Sequence, residues 1–189
     1  MSQQPGQVRM VRQDAADRWP VDDRSVACMV TSPPYNAGID YDGDPTNDVM
    51  PWSEYRAMAA NVMNEAARAL INPGGRAFIN VTPSMPTQPN PAGDHSGQTA
   101  IERVSLIDVW STAAADAGLQ FRDIIAWATP GRGGSCAWGS YESPAGPNMR
   151  GEWEAIICVS SGTWSRETPP EHKGWKDAEG GWTALVSNV

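Results

Sequence analysis

The sequence VACMVTSPPYNAG, residues 26–38, places an apolar run directly before two prolines and a tyrosine. Residues 26–31 are nearly continuous in apolar character, which predicts a buried parallel strand. Each proline fixes its own φ and restrains the residue before it, so Ser32 and the carbonyls around it are held in one geometry. Because Pro33 and Pro34 have no N–H, this corner presents mainly acceptors, with the ring of Tyr35 beside them.

The stretch TSPPYN lies where ligands of open α/β sheets bind, outside the carboxyl end of a strand. A rigid pair of acceptors next to a flat ring suits a planar ligand that carries an amino group. A nucleobase extruded from its duplex is such a ligand. From these residues alone, an ordinary proline turn is the alternative.

The flanking sequence alternates predicted strands and helices around one core. Ser53 is the expected N-cap of a first helix, which NPGG at 72–75 ends. A stretch at 83–98, rich in proline and glycine, predicts a long and mobile loop. The pattern indicates an open α/β sheet with helices packed on its faces. Strands are predicted at 8–12, 26–31, 76–82, 119–129 and 153–160, and helices at 53–70 and 101–117.

Composition narrows the function classes. The 189 residues suffice for one domain with a real core, and no stretch approaches the ~20 apolar residues of a membrane span. Three scattered cysteines indicate a reducing, cytoplasmic setting. Two histidines are too few for a zinc site or a serine–histidine triad, so no metal is expected. The net charge of −8 argues weakly against nucleic acid, because a groove can be locally basic.

At this point the residues resemble a known family, the AdoMet-dependent DNA amino-methyltransferases, which modify N4 of cytosine or N6 of adenine. Their catalytic motif is Asp, Asn or Ser followed by Pro-Pro and an aromatic residue, as in VACMVTSPPYN. An acidic segment (40–48), a helix ending in PGG and a strand then follow in the family's order. The resemblance covers residues 8–183. Its later matches, in order, are Trp127, Trp138, Gly139, Ser140, Ser143, Pro144, Arg150 and Glu154.

The resemblance implies a Rossmann-like class I methyltransferase sheet, a single domain over 1–189 and a mechanism. The amino group of a flipped base donates hydrogen bonds to Ser32 and to the carbonyl of Pro33, while Pro34 stiffens the turn and Tyr35 stacks on the base. The methyl group passes directly in line, and the site works by orientation and electrostatics. Cytosine N4 is favoured over adenine N6, because Ser is commoner in the cytosine enzymes.

The resemblance also implies S-adenosyl-L-methionine as cofactor, with contacts from Asp14, Thr31 and Asn36. Asp14 has an equal alternative as the N-cap of a short helix. Double-stranded DNA is the implied partner. PGRGGS at 130–135 follows a predicted strand and is expected to be a mobile loop on the DNA side, with a nucleotide-phosphate loop as the alternative. Arg150 has a pairing with Glu152 as its alternative. The implied DNA contacts are Arg132, Trp138, Tyr141 and Arg150.

A glycine-rich turn that holds AdoMet in the family, Asp-Pro-Phe-x-Gly-x-Gly, does not occur in the sequence. We therefore expect a partial sheet that lacks the C-terminal cofactor-binding strands, with 26–31 as an exposed edge. Residues 8–12 would detach or pair with that edge, and a second chain is a candidate carrier of the missing half. Two alternatives are a non-catalytic DNA-binding or accessory protein and a methyltransferase for a non-nucleic amide such as glutamine.

Overall fold

The structure is a computed structural model that describes residues 8–39, 43, 48–87, 102–129 and 153–165, together with the backbone of 175–176 and 182–183. Both predicted helices and the predicted strands at 26–31, 76–82, 119–129 and 153–160 form with shifted ends, and four short strands are added. In chain order they are β1 (Cys28–Thr31), α1 (Trp52–Ala69), β2 (Gly75–Val81), β3 (Ser84–Pro86), β4 (Arg103–Ser105), α2 (Leu106–Asp116), β5 (Gln120–Ala128), β6 (Trp153–Ser161), β7 (Trp175–Lys176) and β8 (Trp182–Thr183).

A four-stranded mixed sheet in the order β1-β2-β6-β5 forms the centre of the fold. β1 runs parallel to β2, with Thr31 opposite Ile79. β6 runs antiparallel to both of its neighbours, so Val81 at the end of β2 lies opposite Ala155 near the start of β6. The carboxyl ends of β1 and β2 and the amino end of β6 therefore share one edge of the sheet.

Both described helices pack on the same face of this sheet. Their buried side chains form one apolar cluster with every second residue of β2, which are Ala77, Ile79 and Val81. The helices also contact each other, and the ring of Trp110 in α2 lies 6.4 Å from that of Tyr55 in α1. The predicted α/β fold class is confirmed, with the difference that the two described helices share a face.

The boundary of α1 differs from its predicted start. The helix begins at Trp52 with Pro51 as the N-cap residue, so the prediction of Ser53 as N-cap is wrong. Pro51 accepts the first helical bonds through its carbonyl and has no N–H to leave unpaired in the first turn. At the other end the chain turns so tightly that a Cβ on Gly75 would lie 2.6 Å from the Ile71 carbonyl oxygen. The predicted PGG stop is confirmed.

Three other sequence predictions need correction. Residues 8–12 form no strand and are exposed, with Met10 at 93%. Part of the predicted loop 83–98 is strand, because Ser84–Pro86 pairs with Arg103–Ser105, while 88–98 lie outside the described residues. The second helix begins at Leu106 and not at 101, since the Ser105 side chain caps it by accepting from Asp108 N.

Among the described residues, β1 pairs along one side only and forms the edge of the sheet. Val30 points away from the helices and is 74% exposed. Ile125 and Trp127 of β5, on the same face, are also about half exposed. This face therefore combines exposed apolar side chains with the polar side chains of Asn80 and Glu154. None of the described helices is long and apolar enough to cross a membrane.

Candidate functional site

The motif residues leave β1 at the carboxyl edge of the sheet, where the sequence predicts a ligand site. Ser32 is exposed, Pro33 is buried, and Pro34 and Tyr35 are half-buried. The Ser32 hydroxyl is therefore open to a ligand while the prolines behind it are fixed in the protein. Thr31 is half-buried, with its backbone opposite Ile79 in the sheet.

The second proline is tied to the core from behind. The hydroxyl of Tyr55, a residue with no exposed surface, donates a 2.7 Å hydrogen bond to the Pro34 carbonyl oxygen. The indole N–H of Trp110 in turn donates to the Tyr55 oxygen at 3.1 Å. The Pro34 carbonyl therefore already has a partner inside the protein. The base contacts predicted from the sequence use the other two acceptors of the motif, Ser32 Oγ and the Pro33 carbonyl.

Burial strongly favours the neutral form of Tyr55. Desolvation raises the pKa of this phenol to about 12, with a smaller opposing effect of the Trp110 hydrogen bond and a small further rise from the charge of Asp48. Tyr55 is therefore a protonated donor throughout the physiological pH range, and its bond to Pro34 does not switch.

The turn after the motif is held by a buried carboxylate. Asp48 accepts backbone N–H bonds from Asn36 at 3.0 Å, Ala37 at 2.9 Å and Ile39 at 3.2 Å. Asn36, at φ 61°, has the left-handed backbone that Asn tolerates better than most residues. Its amide bonds both polar groups of Met50, at 2.9 Å to the carbonyl and 2.7 Å from the N–H. Asn36 thus has a clear structural role, and its predicted cofactor contact stays a prediction.

The hydroxyl of Tyr35 lies in a polar cluster that we call the edge network: Ser32, Tyr35, Asn80 and Glu154. Asn80 Nδ2 donates to the Tyr35 oxygen at 3.1 Å and to Glu154 Oε2 at 2.6 Å. The Tyr35 hydroxyl lies 3.2 Å from Glu154 Oε2 and 3.4 Å from Ser32 Oγ. The motif is therefore connected to a carboxylate that lies 119 residues beyond Tyr35 in the sequence.

The topology explains why Glu154 reaches the motif. β6 is antiparallel to β2, so its first residues lie beside the last residues of β2, where Asn80 stands. Glu154 matches the family pattern, but the sequence alone assigns neither Glu154 nor Asn80 to the site. Polar residues at opposite ends of two neighbouring antiparallel strands were the signal, but strand order cannot be read from one sequence.

Asp14, predicted to contact the cofactor, has a local structural role. Its carboxylate accepts from Ala16 N at 2.8 Å and its carbonyl accepts from Asp17 N at 3.1 Å. The alternative of a cap is closer to what the structure shows, although the residues form a turn and no helix. The cofactor contact of Asp14 stays a prediction.

The predicted DNA contacts Arg132, Trp138, Tyr141 and Arg150 all lie outside the described residues. Trp127, at the described end of β5, pairs with Glu154 in the sheet and is 56% exposed, so an open aromatic ring stands at the same edge as the edge network. Over the described ranges, no group of three or more His, Cys, Asp or Glu side chains could hold a metal ion.

Comparison with known proteins places the chain in a family. A family model for N6- and N4-methyltransferases, described as DNA methylase, matches residues 26–183. Among curated proteins, the type II methyltransferase M.MjaVI of Methanocaldococcus jannaschii is 27% identical over 159 residues, which cover 84% of this chain and 74% of the relative.

Solved structures show the same fold at low sequence identity. The Thermus thermophilus protein TTHA0409, described as a candidate DNA modification methylase, is 20% identical in its complex with S-adenosyl-L-methionine. The TM-score is 0.57, over 84% of this chain and 57% of that one. Without the ligand, the same protein matches with a TM-score of 0.52 at 20% identity, over 84% and 56% of the two chains. The chain thus spans little more than half the length of these solved relatives.

Proposed function

The chain belongs to the N6/N4 DNA methylase family, and we propose that it carries the catalytic, target-facing part of an enzyme that methylates the exocyclic amino group of a flipped base in double-stranded DNA. The observation that carries this proposal is the exposed Ser32 hydroxyl on a turn held by Tyr55 and Asp48. A rigid acceptor at the carboxyl edge of a sheet can orient an amino group without rearranging.

The chemistry assigned to these residues is positioning. The amino group of the base donates to Ser32 Oγ and to the Pro33 carbonyl, and the ring of Tyr35 stacks on the base. Bound S-adenosyl-L-methionine supplies an electrophilic methyl group. A serine hydroxyl is far too weak a base to deprotonate an amino group, so the contribution of Ser32 is orientation and charge stabilisation. Ser at this position favours cytosine N4 over adenine N6.

The described residues fit only part of a site for S-adenosyl-L-methionine. The carboxyl end of β1 is open, but the side chains of Asp14 and Asn36 are bonded to nearby backbone groups. The printed sequence also has no Asp-Pro-Phe-x-Gly-x-Gly turn. We propose that the remaining wall is built by strands outside these 189 residues that pair with the β1 edge, either in a longer chain or in a second chain.

The open edge of β1 supports this proposal. Among the described residues this strand has backbone groups without a neighbouring strand, an arrangement that invites pairing or aggregation, and Val30 adds exposed apolar surface to it. The DNA contacts we propose, from Arg132, Trp138, Tyr141 and Arg150, would lie on the target side.

The incomplete cofactor site also favours a second function, a DNA-binding or accessory protein that keeps the base site without chemistry. The two functions differ in one experiment. The chain is combined with the polypeptide that carries the proposed AdoMet-binding strands, in one longer chain or as a second chain. Unmethylated DNA and AdoMet labelled in its methyl group are added, and the label incorporated into DNA is counted. The enzyme hypothesis predicts incorporation that Ser32→Ala abolishes, whereas the accessory hypothesis predicts DNA binding without incorporation.

Ser32→Ala is suited to this test because Ser32 is exposed, so the substitution leaves the fold intact. An exposed serine away from the motif, Ser165, provides the matched control Ser165→Ala, which should retain full incorporation. Equal incorporation by the Ser32→Ala and Ser165→Ala proteins would contradict the role of Ser32.

A further inference from the structure

The edge network contains a carboxylate, that of Glu154, to which the proposed methyl transfer assigns no role. Among the described residues, Glu154 Oε2 faces Asn80 Nδ2 at 2.6 Å and the Tyr35 hydroxyl at 3.2 Å. An ionised carboxylate only accepts hydrogen bonds, so both neighbours donate to it. The Tyr35 hydrogen has a competing acceptor in the Asn80 carbonyl, at 3.5 Å, but the charged and nearer oxygen is the stronger one.

The direction of the next bond follows. Tyr35 has one hydroxyl hydrogen, which it donates to Glu154, so its oxygen accepts from its other described neighbours. One lone pair of that oxygen accepts from Asn80 Nδ2 at 3.1 Å. The contact with Ser32 Oγ at 3.4 Å must then be made with Ser32 as the donor. Although 3.4 Å is long for an O–H···O bond, bonds in a catalytic site tighten when the substrate binds.

The direction of this bond determines what the Ser32 oxygen presents to a ligand. With its hydrogen directed inward to Tyr35, Ser32 Oγ presents only acceptor capacity outward. An amino group, which brings hydrogens, is accepted there. A base carbonyl at the same place, such as O4 of thymine, would bring lone pairs against lone pairs and be rejected.

We propose that Glu154 is a positioning residue that sets the direction of the edge network, and that this direction selects a base bearing an amino group over one bearing a carbonyl. The inference rests on the proposed function and adds to it the group that distinguishes cytosine or adenine from thymine. Glu154 acts through Tyr35, so its effect depends on the Tyr35 hydroxyl.

The connection between Glu154 and Tyr35 can be tested on the chain alone. Thermal unfolding is measured for four proteins: wild type, Tyr35→Phe, Glu154→Gln and the double variant. Phe keeps the ring and removes the hydroxyl, and Gln keeps the shape and removes the charge. If the network runs through this hydroxyl, the losses in Tm are coupled, and the double variant loses less than the sum of the two single losses. Additive losses would overturn the inference.

Methyl transfer by the assembled enzyme tests the direction. The amide of Glu154→Gln can donate to Tyr35 and so reverse the direction of the hydrogen bonds in the edge network. We expect turnover to fall at least about tenfold while the KM for AdoMet stays unchanged. In the Tyr35→Phe background, Glu154→Gln should cause no further fall. Asp116→Asn, at an exposed carboxylate at the end of α2, is the control and should leave turnover unchanged.

The possible failures are distinguishable. An active wild type in which Glu154→Gln lowers turnover equally with and without the Tyr35 hydroxyl overturns the role of Glu154 alone. A wild-type assembly that transfers no methyl group to any DNA overturns the proposed function and, with it, the substrate selection. Thermal unfolding of the four proteins still decides whether Glu154 and Tyr35 are connected.

Discussion

Tyr55 and Pro34 are joined by a 2.7 Å hydrogen bond from a fully buried phenol to a backbone carbonyl. The bond connects the first turn of α1 to the turn that follows β1. Because proline offers no N–H, a carbonyl is the one backbone hydrogen-bonding group by which Pro34 can be held. The position of the motif is therefore set by the helix behind it as well as by the strand before it.

Removing the Tyr55 hydroxyl should destabilise the fold. Tyr55→Phe leaves the Pro34 carbonyl and the Trp110 indole N–H without their shared partner in a buried place. We expect a loss of about 1–3 kcal/mol in the free energy of unfolding, measured by urea denaturation. Tyr35→Phe removes the same group from a half-buried position and should cost less. Equal losses in the two variants would contradict the anchoring role of Tyr55.

The same tyrosine predicts a stability loss at alkaline pH. In the folded chain the pKa of Tyr55 is about 12, and an unfolded tyrosine has a pKa of about 10. The neutral phenol thus stabilises the fold fully below pH ~10, and this contribution of roughly 2–3 kcal/mol is lost as the pH rises towards ~12. Unfolding free energies at several pH values should fall more steeply for wild type than for Tyr55→Phe. Parallel curves would show that Tyr55 titrates normally.

Asp48 should be essential to the turn that follows the motif. In Asp48→Asn, an NH2 group replaces one of the two oxygens that receive the N–H groups of Asn36, Ala37 and Ile39. We expect a loss of about 2–4 kcal/mol in unfolding free energy, together with weaker methyl transfer. Asp108→Asn, at an exposed site in the first turn of α2, is the control and should cost less than about 1 kcal/mol. Similar losses at the two positions would refute the role of Asp48.

The local sequence predicts the elements better than it predicts their arrangement. The apolar run before SPPY and the pattern that predicts a helix over 53–70 are local, and both elements form. The strand predicted at 8–12 does not form, because a local pattern does not provide a pairing partner and these residues pair with none of the described strands. The strand Ser84–Pro86 was not predicted because it lies among prolines and ends in one, which an edge strand tolerates.

The candidate site was predictable only in its local half. Ser32, Pro33, Pro34 and Tyr35 are contiguous, and their rigidity follows from proline itself. Four further residues reach the motif only through the tertiary fold. Tyr55 does so through the packing of α1 and Asp48 through the segment before α1. Asn80 and Glu154 do so through the antiparallel pairing of β2 with β6. These contacts depend on tertiary register, which no local pattern encodes.

The chain by itself should bind S-adenosyl-L-methionine poorly, because in the proposed site the described residues supply only one wall and β1 is an edge among the described strands. Calorimetric titration of the purified chain should give no micromolar binding. TTHA0409 from Thermus thermophilus, solved with this ligand, is a suitable positive control. Micromolar binding by the chain alone would show that its cofactor site is complete within these 189 residues.

The central claim, methylation of an exocyclic amino group oriented by Ser32, is tested most directly by the identity of the product. Unmethylated DNA is treated with AdoMet and the assembled enzyme, then digested to nucleosides and examined by mass spectrometry. We predict N4-methylcytosine, or N6-methyladenine if the target is adenine, and neither nucleoside with the Ser32→Ala protein. A methyl group on a ring carbon, or an unchanged yield with Ser32→Ala, would contradict the account.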